Sequence, residues 1–82
     1  MTIYAGNLHF SVTEDDLKTM FSPYGDVLGA KIAKDKETGR SRGFGFVEME
    51  ESEAKEAILQ LNGTTHKSRV LKINEARPKE FK

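Results

Sequence analysis

Two segments of this chain have apolar residues at helical spacing, and each forms only one apolar stripe. The first follows Thr13 and three acidic residues that favour a helix N-terminus, and its stripe is Leu17, Met20 and Phe21. The second begins near Ser52, a candidate N-cap, and its stripe is Ala54, Ala57, Ile58 and Leu61. We therefore expect both helices to cover one face of a sheet and to leave the other face open.

Four further segments are rich in branched and aromatic residues and predict strands, at residues 2–8, 27–34, 42–49 and 69–75. The element order is then β-α-β-β-α-β. This order predicts an α+β, ferredoxin-like split βαβ fold, in which a four-stranded antiparallel sheet has two helices on one face.

The length of 82 residues allows one domain. We assign residues 1–77 to that domain and residues 78–82 to a short charged C-terminal tail. Because the chain starts and stops close to these limits, we expect it to be a complete small protein.

Residues that build metal, redox and nucleotide sites are scarce in this chain. Cysteine is absent, and His9 and His66 stand alone without metal-ligand spacing. Gly43 and Gly45 lie in a predicted strand and open no helix, so they are not a dinucleotide-binding motif. We find no membrane-spanning run and no signal peptide. The sequence therefore predicts no cofactor, no metal and no membrane association, and a cytoplasmic location, or a nuclear or organellar one in a eukaryotic source.

The formal net charge is zero, but the two signs are segregated along the chain. Residues 31–42 hold five basic and two acidic side chains, and residues 57–82 hold six basic and two acidic ones. If these two segments share a face, that face can attract phosphate while the molecule as a whole stays neutral.

The third predicted strand, residues 42–49, contains the most informative segment. Side chains alternate across a strand, so Val47 and Met49 suit the core. Arg42, Phe44 and Phe46 then fall on the open face, where burial does not explain two phenylalanines. The two glycines between them weaken a strand, and we interpret them as keeping a flat surface for a ligand.

Residues 42–48 match every specified position of the RNA recognition motif octamer, which is Lys/Arg-Gly-Phe/Tyr-Gly/Ala-Phe-Val-any-Phe/Tyr. Only the eighth position differs, where Met49 replaces an aromatic residue on the core face, so the difference should affect packing more than RNA contact. Residues 3–8, Ile-Tyr-Ala-Gly-Asn-Leu, look like the family's second signature. The chain resembles this family along essentially its whole length, and in particular its small single-domain bacterial and cyanobacterial members.

The resemblance implies that strands one and three are neighbours, so that Tyr4, Phe44 and Phe46 form one platform for the bases of single-stranded RNA. It also implies RNA contacts from polar residues of the open face and its edges, namely Lys31, Arg40, Arg42, Lys72, Asn74 and Arg77. We further expect a monomer, weaker binding of single-stranded DNA, and a role as a post-transcriptional regulator or RNA chaperone.

Two other function classes are compatible with the predicted fold. The chain resembles some family members that bind peptides through the helix face instead of RNA, although the intact Phe44 and Phe46 argue against this. The ferredoxin-like fold also hosts small phosphatases. We find no nucleophile beside a base and no catalytic carboxylate pair, so we predict that the chain is not an enzyme.

The remaining aromatic residues receive structural assignments. We assign Phe10 and Phe21 to the core and expect Tyr24 to be half-buried at the end of the first helix. Phe81, in the charged tail, receives no assignment.

Overall fold

The computed structural model of this chain describes residues 1–76. It has one four-stranded antiparallel sheet, two helices and a small separate hairpin. The elements are β1 (Thr2–Gly6), α1 (Glu14–Phe21), β2 (Val27–Lys34), β3 (Ser41–Met49), α2 (Glu51–Leu61), β4 (Thr65–His66), β5 (Arg69–Val70) and β6 (Lys72–Glu75), with a short 3-10 helix at Ser22–Tyr24 after α1.

The four main strands lie in the order β2-β3-β1-β6, with β3 and β1 at the centre. This confirms the predicted α+β split βαβ fold and the neighbouring position of the two signature strands. The core lies between the sheet and the two helices. Its largest fully buried side chains are Phe21, Ile3, Leu8, Leu17, Met49, Leu71, Ile73 and Val47.

The first helix begins as predicted at Thr13. The hydroxyl of Thr13 accepts a hydrogen bond from the Asp16 N–H at 3.3 Å, and the Asp16 carboxylate accepts one from the Thr13 N–H at 3.0 Å. This is a capping box, which satisfies two N–H groups that a helix start leaves without partners. These hydrogen bonds hold the pKa of Asp16 below its usual value, and the largest cause is the Thr13 N–H.

The second helix begins two residues earlier than its predicted N-cap implies. Glu50, and not Ser52, is the N-cap residue, and it makes no side-chain capping hydrogen bond. Ser52 lies inside the first turn, and its hydroxyl donates to the Glu50 carboxylate at 3.1 Å. The apolar stripe is as predicted, because Ala54, Ala57 and Leu61 are buried.

The predicted last strand, residues 69–75, is divided in the structure. Lys67 and Ser68 both have positive φ, of 51° and 68°, which suits a tight two-residue hairpin turn. The turn pairs β4 with β5 in a separate hairpin, and the main sheet resumes only at Lys72. The first strand is also shorter than the predicted residues 2–8, because Asn7 has a φ of 58° and ends it.

Neither helix within residues 1–76 has the length and apolar character that a membrane span requires.

Candidate nucleic-acid interface

One row of four side chains crosses the sheet on the face opposite the helices. Tyr4 of β1 is paired with Phe46 of β3 on one side and with Asn74 of β6 on the other, and Phe46 is paired with Lys31 of β2. Side chains directly opposite on neighbouring strands are close enough to act together. The register therefore brings four of the predicted site residues into one line: Lys31, Phe46, Tyr4 and Asn74.

Three aromatic rings form a cluster at the centre of this face. The Tyr4 ring lies 6.0 Å from the Phe44 ring and 5.9 Å from the Phe46 ring, measured between centroids. The Phe44 and Phe46 rings are 6.0 Å apart and nearly perpendicular, at 87°. All three side chains stay partly exposed, so their faces and edges are available to a ligand.

The position of the Tyr4 ring depends on Gly6, a residue to which the sequence analysis gave no role. The ring lies over Gly6, and a Cβ atom at this position would be only 2.6 Å from the tyrosine hydroxyl oxygen. The signal that could have found this is the spacing, because residues i and i+2 of a strand share a face.

The two glycines of β3 have a backbone explanation instead of the predicted ligand-facing one. Gly43 has a φ of +86°, which is unfavourable for other residues. A Cβ atom at Gly45 would overlap the carbonyl oxygen of Lys31 on the neighbouring strand. Gly45 is buried, on the face opposite the rings. Backbone conformation and close strand approach therefore explain these glycines, and a role in keeping the surface flat stays a prediction.

Positive charge flanks the ring cluster. The Arg42 guanidinium carbon lies 5.6 Å from the Phe44 ring centroid, within the range of a cation–π contact. Lys31 and Lys72 are exposed on β2 and β6, at the two edges of the sheet. Arg40 is exposed in the loop between β2 and β3, and Arg77 lies outside the described residues.

One carboxylate, Glu48, also lies on the open strand face. Its oxygens accept hydrogen bonds from the Thr2 hydroxyl at 2.6 Å and from the N-terminal ammonium at 3.2 Å. These hydrogen bonds hold the pKa of Glu48 below its usual value, and the largest cause is the hydrogen bond from the Thr2 hydroxyl. Beside it, a depression of about 320 Å³ is lined by Thr2, Gly29, Ala30, Lys31, Phe46, Val47 and Glu48.

The zero net charge is compatible with this arrangement because several of the acidic side chains lie on the helices and not on the open face. Acidic residues open both helices, at Glu14–Asp16 in α1 and at Glu51 and Glu53 in α2. Both helices pack on the core face of the sheet. Lys31, Arg42 and Lys72 are exposed on the strands that form the open face. The open face is therefore richer in positive charge than the whole chain.

Two predicted aromatic assignments agree with the structure and one does not. Phe21 is fully buried, and Tyr24 is partly buried against the core. Phe10 is 71% exposed, so its assignment to the core was wrong. It lies at the tip of the loop between β1 and α1, where Leu8 and Val12 on either side fill the core instead.

Among residues 1–76, no group of three or more histidine, cysteine or acidic side chains is placed to hold a metal ion.

Comparison with known proteins agrees with this geometry. The model of the RNA recognition motif matches residues 3–72, which include both aromatic signatures. The chain belongs to the RNA recognition motif family. Members of this family are RNA-binding proteins and not enzymes, so the open face is a candidate RNA-binding surface and not an active site.

Similar RNA recognition motifs occur in cyanobacteria and among solved structures. The protein RbpE of Nostoc sp. (strain PCC 7120) is 57% identical over 83 residues, which cover 100% of this chain and 84% of RbpE. The crystal structure of RNA binding protein PG1 has a TM-score of 0.91 and 48% identity, covering 93% of each chain. The structure of the Rna15 RNA recognition motif with bound RNA (GU) has a TM-score of 0.82 and 32% identity, covering 92% of this chain and 81% of the other.

Proposed function

We propose that this chain binds single-stranded RNA across the open face of its sheet, by stacking unpaired bases on Tyr4, Phe44 and Phe46. One observation carries the proposal: three aromatic rings lie within 6.0 Å of one another on the face that the helices leave uncovered. Aromatic side chains in this position offer flat surfaces to two or three bases.

The charged and polar neighbours of the rings have complementary roles in the proposal. Lys31, Arg42 and Lys72 contact phosphate oxygens or base edges, since both groups accept hydrogen bonds. Asn74, which is paired with Tyr4, both donates and accepts and is suited to a base edge. The predictions that Arg40 and Arg77 contact RNA stay predictions.

The expected affinity is modest. Each base stacked on an aromatic side chain contributes about 1–3 kcal/mol, and binding near 1 μM corresponds to about −8 kcal/mol. Three stacks and a few charged contacts can reach this value after the losses of association. Sequence preference is expected to be loose, because every base has a stacking surface.

A solved relative supports RNA binding by a domain of this fold. The Rna15 RNA recognition motif, which has a TM-score of 0.82 to this chain, was solved with bound RNA (GU). We propose that the present chain binds RNA as well, and that it acts in the cell as a post-transcriptional regulator or RNA chaperone. Faster annealing of two complementary RNA strands in its presence would support the chaperone role.

The test is a titration of fluorescent random-sequence single-stranded RNA, followed by anisotropy. Wild type is compared with Phe44→Ala/Phe46→Ala and with the control Leu59→Ala, which removes a 74% exposed apolar side chain from α2. Circular dichroism confirms that each variant is folded. We expect micromolar binding by wild type and the control, and loss of most of the affinity in the double variant.

Two results would contradict the proposal. If wild type does not bind RNA even at low salt, the aromatic face is not an RNA site, and peptide partners of the helix face become the next hypothesis. If the folded double variant binds as well as wild type, RNA binds elsewhere on the molecule.

The domain limit at residue 77, the monomeric state and the weaker binding of single-stranded DNA stay predictions. Sedimentation velocity tests the monomeric state. The same anisotropy titration with DNA of matched sequence tests the preference for RNA.

A further inference from the structure

Glu48 is a carboxylate on the face of the sheet that is proposed to bind RNA. Its side chain is 48% exposed, and it is paired with Thr2 of β1 on one side and with Gly29 of β2 on the other. A negative charge at this position repels phosphate oxygens and is compatible with an uncharged group that donates hydrogen bonds. Within a bound RNA strand, such a group is the edge of a base.

The space beside Glu48 results from a bulge in β2. Val27 is paired with Met49 and Gly29 with Glu48, so Leu28 is an extra residue without a partner on β3. The bulge sets Gly29, which has no side chain, opposite Glu48. A Cβ atom at Gly29 would have the Glu48 Cβ as its nearest neighbour outside the adjoining residues, at 3.9 Å. A larger residue at position 29 would therefore fill the space beside the carboxylate.

This space belongs to the depression of about 320 Å³, which reaches the ring cluster. Phe46, Lys31 and Glu48 all line the depression, and Phe46 is directly opposite Lys31. Glu48 follows Phe46 by two residues, so the two side chains lie on the same face of β3. A base that stacks on Phe46 can therefore place its edge in the depression, beside the Glu48 carboxylate. Lys31 is exposed on the β2 side and attracts the adjoining phosphate.

The Glu48 carboxylate is oriented by two hydrogen bonds and keeps further capacity to accept. The Thr2 hydroxyl donates to Oε1 at 2.6 Å, and the N-terminal ammonium donates to Oε2 at 3.2 Å. A carboxylate has about four lone-pair sites, so each oxygen can accept one more hydrogen bond. The depression therefore offers two neighbouring acceptors and no donor from Glu48.

Guanine is the base whose edge fits two neighbouring acceptors. Its N1–H and N2–H groups are adjacent and can donate two parallel hydrogen bonds to the two oxygens of a carboxylate. Adenine and cytosine each have one amino group beside a ring nitrogen that accepts, and uracil has one N–H between two carbonyl oxygens. In these three bases an acceptor would face the negative oxygens and be repelled.

We infer that the depression between Gly29 and Glu48 selects guanine, whose base stacks on Phe46 and donates its N1–H and N2–H to the Glu48 carboxylate. The inference rests on the proposed RNA binding by the open face, and it names the base that one position of that face prefers. Gly29 contributes by leaving the space open, and Thr2 contributes by orienting the carboxylate. The bases at the other rings keep a loose preference.

The test measures binding of oligouridines of about seven nucleotides in which only the central base differs. The central base is guanine, adenine, cytosine, uracil or hypoxanthine, and each RNA competes with a fluorescent RNA in an anisotropy assay. Hypoxanthine, the base of inosine, keeps the N1–H of guanine and lacks the N2 amino group. Wild type should bind the guanine RNA about 5- to 100-fold more tightly than the adenine, cytosine and uracil RNAs, with the hypoxanthine RNA between them.

Two variants should remove this preference by different routes. Glu48→Gln replaces one of the two acceptors by a donor, so the guanine and hypoxanthine RNAs should bind alike. Gly29→Val fills the depression and leaves the carboxylate in place, and position 29 accepts valine because its φ is not positive. Glu56→Gln is the matched control, since it removes the same charge from α2, where Glu56 accepts from Gln60 at 2.7 Å. It should keep the preference of wild type, and urea unfolding verifies that each variant is folded.

The contrary outcomes separate this inference from the proposed function. If wild type binds the RNAs equally or prefers another base, while Phe44→Ala/Phe46→Ala loses binding, this inference is overturned and the proposed function stands. If Glu48→Gln or Gly29→Val weakens all RNAs by the same factor and keeps the guanine preference, the residue has only a structural role and the inference is overturned. If wild type binds none of the RNAs, the proposed function fails, and this inference fails with it.

Discussion

The Tyr4 ring lies over Gly6, two residues along the same strand. A Cβ atom at Gly6 would be 2.6 Å from both Cε2 and the hydroxyl oxygen of Tyr4, so the ring occupies the space that any larger residue would need. In this position the ring is 6.0 Å from Phe44 and inclined to it by 30°. The absence of a side chain at position 6 is therefore part of the geometry of the ring cluster.

Gly6→Ala should reduce RNA affinity without unfolding the domain. The added methyl group conflicts with the far end of a flexible tyrosine side chain and not with backbone, so the ring can turn away. We expect at most the loss of one base stack, which is about 1–3 kcal/mol of binding free energy. Anisotropy titration measures this loss, and thermal unfolding verifies the fold.

A double-mutant cycle with Tyr4→Ala separates this mechanism from others. If Gly6 acts through the Tyr4 ring, Gly6→Ala should have no further effect on binding once the ring is absent. Additive losses in the double variant would show that Gly6 contributes to RNA binding independently of Tyr4.

Removal of an open-face lysine should change the salt dependence of binding. Each phosphate contact to single-stranded nucleic acid contributes about −0.7 to the slope of log K against log salt concentration. Lys31→Ala should make the slope shallower by about this amount for RNAs of any sequence. Lys55→Ala is the matched control, because Lys55 lies on α2 and is paired with Glu51 at 3.1 Å. Equal slopes for the two variants would exclude Lys31 as a phosphate contact.

The capping box of α1 should make stability depend on pH in the acid range. The pKa of Asp16 is lowered in the folded state, so its charge stabilises the fold above the unfolded value of about 3.9. This contribution is lost as the pH falls through the lower folded pKa. Asp16→Asn should therefore be less stable than wild type in urea at pH 7, and the difference should disappear in strong acid. A difference that does not depend on pH would contradict this explanation.

Thr13→Ala tests the other half of the same capping box. It removes the hydroxyl that accepts from the Asp16 N–H, and loss of an N-cap typically costs about 1 kcal/mol. Because Thr13 lies outside the ring cluster, affinity for a short RNA that covers only the sheet rings should stay unchanged. Urea unfolding and anisotropy measure the two effects separately.

Gly45→Ala should destabilise the fold, while Gly29→Ala should be nearly neutral. A Cβ atom at Gly45 would overlap the Lys31 carbonyl oxygen and lie 3.1 Å from Ile32 Cδ1, so β3 and its neighbour β2 must separate. Such overpacking typically costs about 1–3 kcal/mol. At Gly29, in the neighbouring strand, the nearest atom is 3.9 Å away. Similar stabilities of the two variants in urea would contradict the close approach at Gly45.

Much of the site followed from the alternation of β3. Because successive side chains point to opposite faces, Val47 and Met49 in the core require Phe44 and Phe46 on the other face. The neighbouring position of β1 and β3 was implied by the family resemblance, and the structure adds the register in which Tyr4 is paired with Phe46. The burial of Met49 likewise agrees with its assignment to the core face.

Two of the errors have identifiable physical reasons. Phe10 is apolar and follows a strand, so its local pattern suggested burial, but Leu8 and Val12 already fill the available core. The hairpin at residues 65–70 depends on positive φ at Lys67 and Ser68, which are not among the residues that usually favour it.

The amino-acid sequence by itself determined the order of helices and strands, the core-facing stripes of the two helices and the presence of two aromatic signatures, because these depend on periodicity and local conformational preference. Only the tertiary structure decided that Tyr4 lies over Gly6, that Gly45 must approach the Lys31 carbonyl, and that Phe10 stays in solvent beside Arg40. These relationships depend on strand register and on competition for space in the core, which join residues that are far apart in the chain.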